Sequence, residues 1–381
     1  MPLMRGRTRF WRIAALGLLL FAGAMLVTRF RSSQEPKSLT ATVRYSENLP
    51  APLFSGTALQ NGCFVLVTRT ISLTKVRRTM FDVEKRFNNR FNYPYVFLSE
   101  QPFSETFQRS VRKMTNASVI FGLINGEYWQ YPEWINMDRA ERAAEAWADA
   151  NDVSADRSGW RHMVRFWAAP VAMHPALHQF KYMWRLEPGS HYTCDFTYDP
   201  FDYMQSHGLS YGFAISMEAM PDTVPTLWDA ALEYIQSSKP QGENSLGWLI
   251  SQPTWKSQYL HYNRCEFLTN FELVDLDFIR SEEYQQLFDY LDRKSGIYYE
   301  HWTDASIRSL AVALLLAPSK VRWFDDVGYK HDLLNNCPAG ANRQMRCHCD
   351  PSKSSHLVPM SCSARWNLTA SRIDFDTISS S

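Results

Sequence analysis

The chain has 381 residues, 45% hydrophobic and 14% aromatic, enough for one large core with appendages. Forty basic residues stand against 39 acidic ones, so no basic field marks it for nucleic acid. It carries no P-loop, dinucleotide glycine fingerprint or serine nucleophile elbow, which sets those motif-defined chemistries aside.

The N-terminus comes first. Arg5, Arg7, Arg9 and Arg12 precede the uncharged run Ile13–Thr28, and Arg29 and Arg31 follow it. The run is short for a membrane span, usually about 17–25 residues, but flanking arginines snorkel and extend it. It reads as an uncleaved signal anchor; a peptide cleaved near Ala22–Ala24 is the alternative. The arginine bias puts residues 1–12 in the cytosol and the remainder in a lumen. Residues 29–60, with Pro36, Pro50 and Pro52 and no apolar period, read as a stem.

A lumenal domain is expected over 61–365, with a disordered tail over 366–381. Its first unit is strand, helix, strand: Cys63–Thr70, then Val76, Met80, Val83 and Phe87 at helical spacing, then Tyr93–Leu98. Such a βαβ unit points to an α/β domain with a mainly parallel sheet. Further on come a helix in "MDRAERAAEAWADAN", a strand over Tyr211–Met217 and a helix opening at Ser281. The last helix starts at Asp304 and closes before Pro318, and a strand follows over Val321–Phe324.

Seven cysteines suit an oxidising lumen, and an odd count leaves at least one thiol free or paired between chains. The stretch from Cys347 to Cys362 holds His348 and His356, but its spacing fits no common zinc pattern, and disulfides are the expectation. Asn116-Ala-Ser and Asn367-Leu-Thr are glycosylation sequons.

Four residues stand out chemically. Glu187 ends an aromatic strand and is fixed by Pro188, which biases it toward an extended conformation from which a carboxylate can reach a hard cation. His331 follows the late strand and reads by itself as a surface or packing histidine. Asp304 reads by itself as a helix N-cap. Glu272 lies between Phe271 and Leu273 and must find a partner or shift its pKa. Asp325 and Asp326 resemble a metal pair but serve equally as turn formers.

Several long motifs in order then carry a resemblance: "VEKRFNNRFNYPYVFLSEQPF", "YWQYPEWINMDRA", "YMWRLEPG", "YDPFDYM", "CEFLTNFELVDLDF", "GIYYEHWTDASIRS" and "RWFDDVGYKHDLLNNCP". From about Cys63 to Cys362 the chain resembles the fungal Golgi α-1,2-mannosyltransferases of glycosyltransferase family 15. The resemblance implies a GT-A type α/β fold with a mixed, mainly parallel central sheet, behind one transmembrane helix and a stem. It implies GDP-mannose as donor, Mn2+ as cofactor and a mannoside on N- or O-linked glycoprotein glycans as acceptor. It further implies retention of the α configuration, a type II place in the Golgi membrane and association with other Golgi mannosyltransferases.

The resemblance makes Glu187 and His331 the manganese ligands and Arg185 a phosphate partner. It makes Glu272 the nucleophile or front-face stabiliser and places Asp304 beside the acceptor. Trp160 stands where a tyrosine is common near the acceptor, His301 where an arginine is, Arg308 where a histidine is, and Gly189 where many relatives have an acid. Those changes motivate a second reading, a degenerate relative that binds glycans or transferases without turnover. A glycosidase built on the two acids is a third.

Overall fold

The computed structural model describes residues 60–150, 157–251, 261–340 and 346–369. The expected anchor over 13–28 lies outside them, and no helix among the described residues is long and apolar enough to cross a membrane.

The strands in chain order are β1 Gly62–Val67, β2 Tyr95–Ser99, β3 Val119–Leu123, β4 Tyr182–Leu186, β5 His191–Tyr192, β6 Tyr211–Phe213 and β7 Ser216–Glu218. They continue as β8 Ile250–Ser251, β9 His261–Tyr262, β10 Cys265–Phe267, β11 Phe271–Asp275, β12 Val321–Trp323, β13 Tyr329–His331 and β14 Leu334–Asn336. Seven form the central sheet in the order β12-β6-β11-β4-β1-β2-β3. Only β11 runs against its neighbours; the pairs β1–β2, β1–β4, β2–β3 and β6–β12 are parallel. The sheet is thus mixed and mainly parallel, as expected.

The first βαβ unit is present as β1, the helix Leu73–Val83 and β2. Val76, Met80 and Val83 bury the helix face that the spacing assigned to the core. One face of the sheet holds an aromatic core, where the Trp184 ring lies 5.4–5.9 Å from Phe64, Phe87, Phe201 and Phe271. Arg185, one residue on, faces the other way because strand side chains alternate.

Three expectations need correction. Tyr211–Met217 is two strands: β6 lies in the central sheet, while β7 leaves it to pair with β10. Asp304 is not the N-cap of its helix; Thr303 is, and its hydroxyl accepts from the Ser306 amide. The ordered domain also runs past residue 365, since the helix Ser363–Thr369 buries Trp366 against Trp248 and Phe267.

Six cysteines pair as Cys194–Cys347, Cys265–Cys362 and Cys337–Cys349, tying the loop-rich C-terminal stretch to the body. The odd cysteine is Cys63, a free thiol buried in β1, and burial pushes its pKa well up. His356 hydrogen-bonds Ser354.

Candidate active site

The site forms at the carboxyl edge of the parallel strands, where open α/β sheets usually bind ligands. Because β11 is reversed, its first residues lie at the edge where β4 and β6 end. Register places Glu272 opposite Arg185 of β4, so both side chains share the face away from the aromatic core.

Glu187 leaves β4 into a tight turn. Pro188 and Gly189 are its central residues, and the Ser190 amide donates to the Glu187 carbonyl at 3.0 Å. Gly189 has φ +96°, the left-handed value a proline–glycine turn needs at that position. Thr79 on the helix Leu73–Val83 clamps the turn: its hydroxyl oxygen takes the Gly189 amide at 3.0 Å and lies 3.0 Å from the Ser190 carbonyl. The proline after the acid therefore aims one carboxylate out of the sheet edge.

Arg185 organises the acids around it. Its two terminal nitrogens donate to Asp304 Oδ2 at 2.5 Å and to Glu187 Oε2 at 3.2 Å. Its guanidinium carbon sits 4.1 Å from the Trp167 ring centroid, a cation–π contact. Asp304 Oδ2 also accepts from Thr269 Oγ1 at 2.6 Å. Arg185 is buried, its two terminal nitrogens go to carboxylates and its Nε has no hydrogen-bond partner among the described residues, a geometry that positions Glu187 and Asp304.

Glu272 found the partner its apolar setting demands. Arg308 Nε donates to Oε1 at 2.8 Å, and both side chains are 1% exposed. The Arg308 fork also reaches the Trp167 carbonyl at 2.9 Å and the Tyr284 hydroxyl. Burial raises the Glu272 pKa, while the Arg308 and Arg185 guanidiniums pull against that rise. Oε2 of Glu272 is buried without a hydrogen-bond partner among the described residues.

His331 ends β13, which pairs with β5 so that Tyr329 faces Tyr192 and Lys330 faces His191. Continuing that register brings His331 across from Ser190, three residues after Glu187. Asn270, two residues before Glu272, sets its amide nitrogen 3.2 Å from His331 Nδ1. The Asn270 oxygen is buried without a partner among the described residues. With that amide turned over, the oxygen accepts from Nδ1–H and leaves the Nε2 lone pair for a cation, the usual support for a ligating histidine. A carboxylate and an imidazole suit manganese, so the residues present fit that ion.

A cleft of about 330 Å³ adjoins Glu187. Thr68, Arg69, Lys75, Glu100 and Trp160 also line it. Arg69 Nε donates to Glu100 at 2.5 Å. Lys75 is exposed and makes no ion pair among the described residues. Sequence reasoning singled out Trp160 but missed Arg69, Lys75 and Glu100, whose only signal was polar residues at and just after the ends of β1 and β2. The Trp160 ring lies 4.2 Å from the His301 ring and nearly parallel to it, and the other face of His301 stacks on Trp147 at 3.6 Å. Burial and nearby Arg161 lower the His301 pKa to about 4, so the middle ring of this stack is neutral at ordinary pH.

Glu266 is a second residue passed over. It accepts from Ser306 Oγ at 2.5 Å and Thr303 Oγ1 at 3.5 Å, at the start of the helix Asp304–Leu315. Burial and neighbouring Asp304 push its pKa to about 7, against the Ser306 hydrogen bond. Asp325 and Asp326 lie 3.7 and 3.8 Å from Arg322 and act as ion-pair partners near the strand end. The one grouping among the described residues with metal-like spacing, Cys194, Cys347 and Cys349, is made of disulfide sulfurs.

A cleft at the carboxyl edge of a mixed α/β sheet, lined by Glu187 and by the basic residues Arg69 and Lys75, suits an anionic ligand such as a nucleotide sugar and fits a glycosyltransferase. Comparison with known proteins agrees. A sequence profile described as glycolipid 2-α-mannosyltransferase matches residues 30–371, and the chain belongs to that family. It is 33% identical to the O-glycoside α-1,2-mannosyltransferase homolog 2 of Schizosaccharomyces pombe, over 94% of this chain and 98% of that one. It is 32% identical to α-1,2 mannosyltransferase KTR1 of Saccharomyces cerevisiae, over 92% of each chain. Its fold matches the Mn/GDP form of core-mannan synthase A from Aspergillus fumigatus with TM-score 0.75 and 31% identity, over 86% of this chain and 90% of that one. It matches the mannosyltransferase Ktr4p of S. cerevisiae in complex with GDP with TM-score 0.76 and 30% identity, over 87% and 89%.

Proposed function

We propose that this chain is a retaining α-1,2-mannosyltransferase that moves mannose from GDP-mannose to a mannoside on a glycoprotein glycan. The observation that carries the reading is Glu187, held by its proline–glycine turn at the strand edge, bonded through one oxygen to Arg185 and facing the cleft. Glu187 and His331 would hold manganese, which when bound offsets the negative charge building on a departing diphosphate.

The chain's own residues do the rest. Lys75 and Arg69 line the cleft as basic groups for the diphosphate. Arg185 positions Glu187 and Asp304 instead of touching phosphate. Asp304 and Trp160 face the acceptor: Asp304 offers a carboxylate anchored by Arg185 and Thr269, and Trp160 offers a ring braced by His301. Glu272 supplies negative charge for the oxocarbenium-like sugar, with Arg308 favouring its ionised form. With Glu272 so enclosed, front-side attack by the acceptor, in which this carboxylate stabilises and does not bond, fits better than a covalent intermediate.

The anchor over 13–28 gives a type II orientation in the Golgi membrane, where other mannosyltransferases are its partners, and the three disulfides suit such a lumen. The sealed Glu272–Arg308 pair is also the feature that favours the alternative, a glycan-binding relative without turnover. Incubation with GDP-mannose, manganese and α-methyl mannoside decides between them. A mannosyl-α-1,2-mannoside product is expected. GDP binding with no transfer to any mannoside would establish the non-catalytic reading, and mannose release from glycans without GDP-mannose would establish a hydrolase.

A further inference from the structure

A second depression shares no lining residue with the cleft. It is an open groove of about 400 Å³ lined by Phe81, Lys85, Asn89, Lys113, Met114 and Asn116. That is the size range of small-molecule sites, about 300–1,000 Å³. Phe81 is 58% exposed although it sits on a helix whose other apolar residues face the core. Lys85 Nζ lies 5.9 Å from its ring. Asn116 is exposed in the bend between the helix Glu105–Arg112 and β3, and its side chain makes no hydrogen bond among the described residues. Ala117 and Ser118 complete the sequon.

We propose that Asn116 is N-glycosylated and that the first sugar of its glycan lies in this groove against Phe81. The sequon makes Asn116 an acceptor, and the groove it lines supplies what a docked pyranose needs. Phe81 and Met114 give an apolar floor for the sugar's C–H face, while Lys85, Lys113 and Asn89 give donors at the rim for its hydroxyls. In the modification Asn116 Nδ2 forms a bond to the anomeric carbon of a lipid-diphosphate-linked oligosaccharide. The bond from that carbon to the diphosphate oxygen breaks, and the amide proton leaves to a base on the transferring enzyme. Three disulfides fit passage through the oxidising compartment where this chemistry occurs.

The placement is compatible with activity. Asn116 precedes β3, at the amino edge of the parallel strands, whereas Glu187 follows β4 at the carboxyl edge. Along the helix Leu73–Val83, Phe81 lies six residues beyond Lys75, an axial separation of about 9 Å from that cleft residue. The second sequon differs. Asn367 is exposed on the last described helix, with Leu368 beside it, and lines no groove among those described.

The test uses the full chain expressed in a eukaryotic secretory host. Mass spectrometry of the peptide containing Asn116 should show a hexosamine-based glycan, and Ser118→Ala should abolish it without changing mannosyl transfer. An unmodified Asn116 in the wild type purified from that host would overturn the proposal. Docking is read separately. Trimming the glycan off whole with a peptide N-glycosidase, which leaves aspartate at position 116 in both proteins, should lower the wild-type Tm by about 2 °C but leave that of Phe81→Ser unchanged. An equal drop in both would overturn the docking. Should Phe81→Ser fail to fold, hydrogen exchange of residues 81–89 replaces it: faster exchange after trimming supports docking, and unchanged exchange overturns it.

Discussion

Replacing Arg308 with methionine tests the buried charge arrangement directly. The change keeps length and apolar volume but leaves Glu272 as a buried carboxylate without its partner at 2.8 Å. Breaking such a pair from one side costs about 3–5 kcal/mol, because the remaining charge has neither water nor counter-ion. Arg185 still faces Glu272 across the strands, so the lower half of that range applies. A body of roughly 290 described residues unfolds with an entropy near 0.6 kcal/mol/K, so a loss of about 3–4 kcal/mol lowers Tm by about 5–7 °C. The loss also depends on pH. Without Arg308 the folded-state pKa of Glu272 climbs further above its unfolded value. The native state then binds more protons than the unfolded one, and stability falls as pH rises through that interval. Thermal and urea denaturation of wild type and Arg308→Met should therefore diverge more at pH 8 than at pH 5. The double variant Arg308→Met, Glu272→Met should recover at least half of the loss. A single variant within about 1 kcal/mol of wild type at both pH values would show that the pair carries no such burden, and the electrostatic account of the site would fail.

Two further outcomes follow from the acceptor side. Trp160→Ala should raise the KM for α-methyl mannoside about 3- to 10-fold and leave the KM for GDP-mannose within twofold, since an aromatic contact contributes about 0.5–1.5 kcal/mol; equal changes in both would remove Trp160 from the acceptor wall. Glu266 has a folded pKa of about 7, above the usual carboxylate value, so it costs stability progressively between about pH 4.5 and 7 and fully above that. Glu266→Gln should then be stabilising at pH 8 by about 1–3 kcal/mol relative to its effect at pH 5, allowing for partial exposure; a pH-independent difference would contradict that environment.

Much of the fold was legible because its signals are local. The period of Val76, Met80 and Val83, the Ser281 cap and the run into Pro318 each fix an element from its own residues. Errors arose where a distant partner decides. Nothing inside "YGFAISM" marks the switch between two sheets; it follows from pairing with β11 on one side and β10 on the other. Thr303 and Asp304 are both good caps, and the choice falls to Thr303 because Arg185, 119 residues away, claims the Asp304 carboxylate. That Glu272 needs a partner could be read from its neighbours, but not that the partner is Arg308. Arg69 and Glu100 meet because β1 and β2 end side by side, and Lys75 joins them from the helix that follows β1; no local pattern marks that gathering.

Three acids share two guanidiniums at this edge, and they differ in exposure. Glu272 is 1% exposed, Asp304 12% and Glu187 25% at the side chain. Glu187 is therefore the charge that an incoming diphosphate meets, and the sign of its effect depends on the metal. Without manganese the carboxylate repels the phosphates by about 1 kcal/mol at some 5 Å in a largely aqueous cleft. With manganese it becomes a ligand and its loss is costly. Glu187→Gln should thus bind GDP about 3- to 5-fold more tightly than wild type in EDTA, yet lose most of the manganese-dependent gain. Glu272→Gln, screened by Arg308, should change neither affinity while lowering turnover. Calorimetric titration of GDP with and without manganese reads all four values. A Glu187→Gln variant that weakens GDP equally in both conditions would mean that Glu187 acts through the turn it begins and not through its charge.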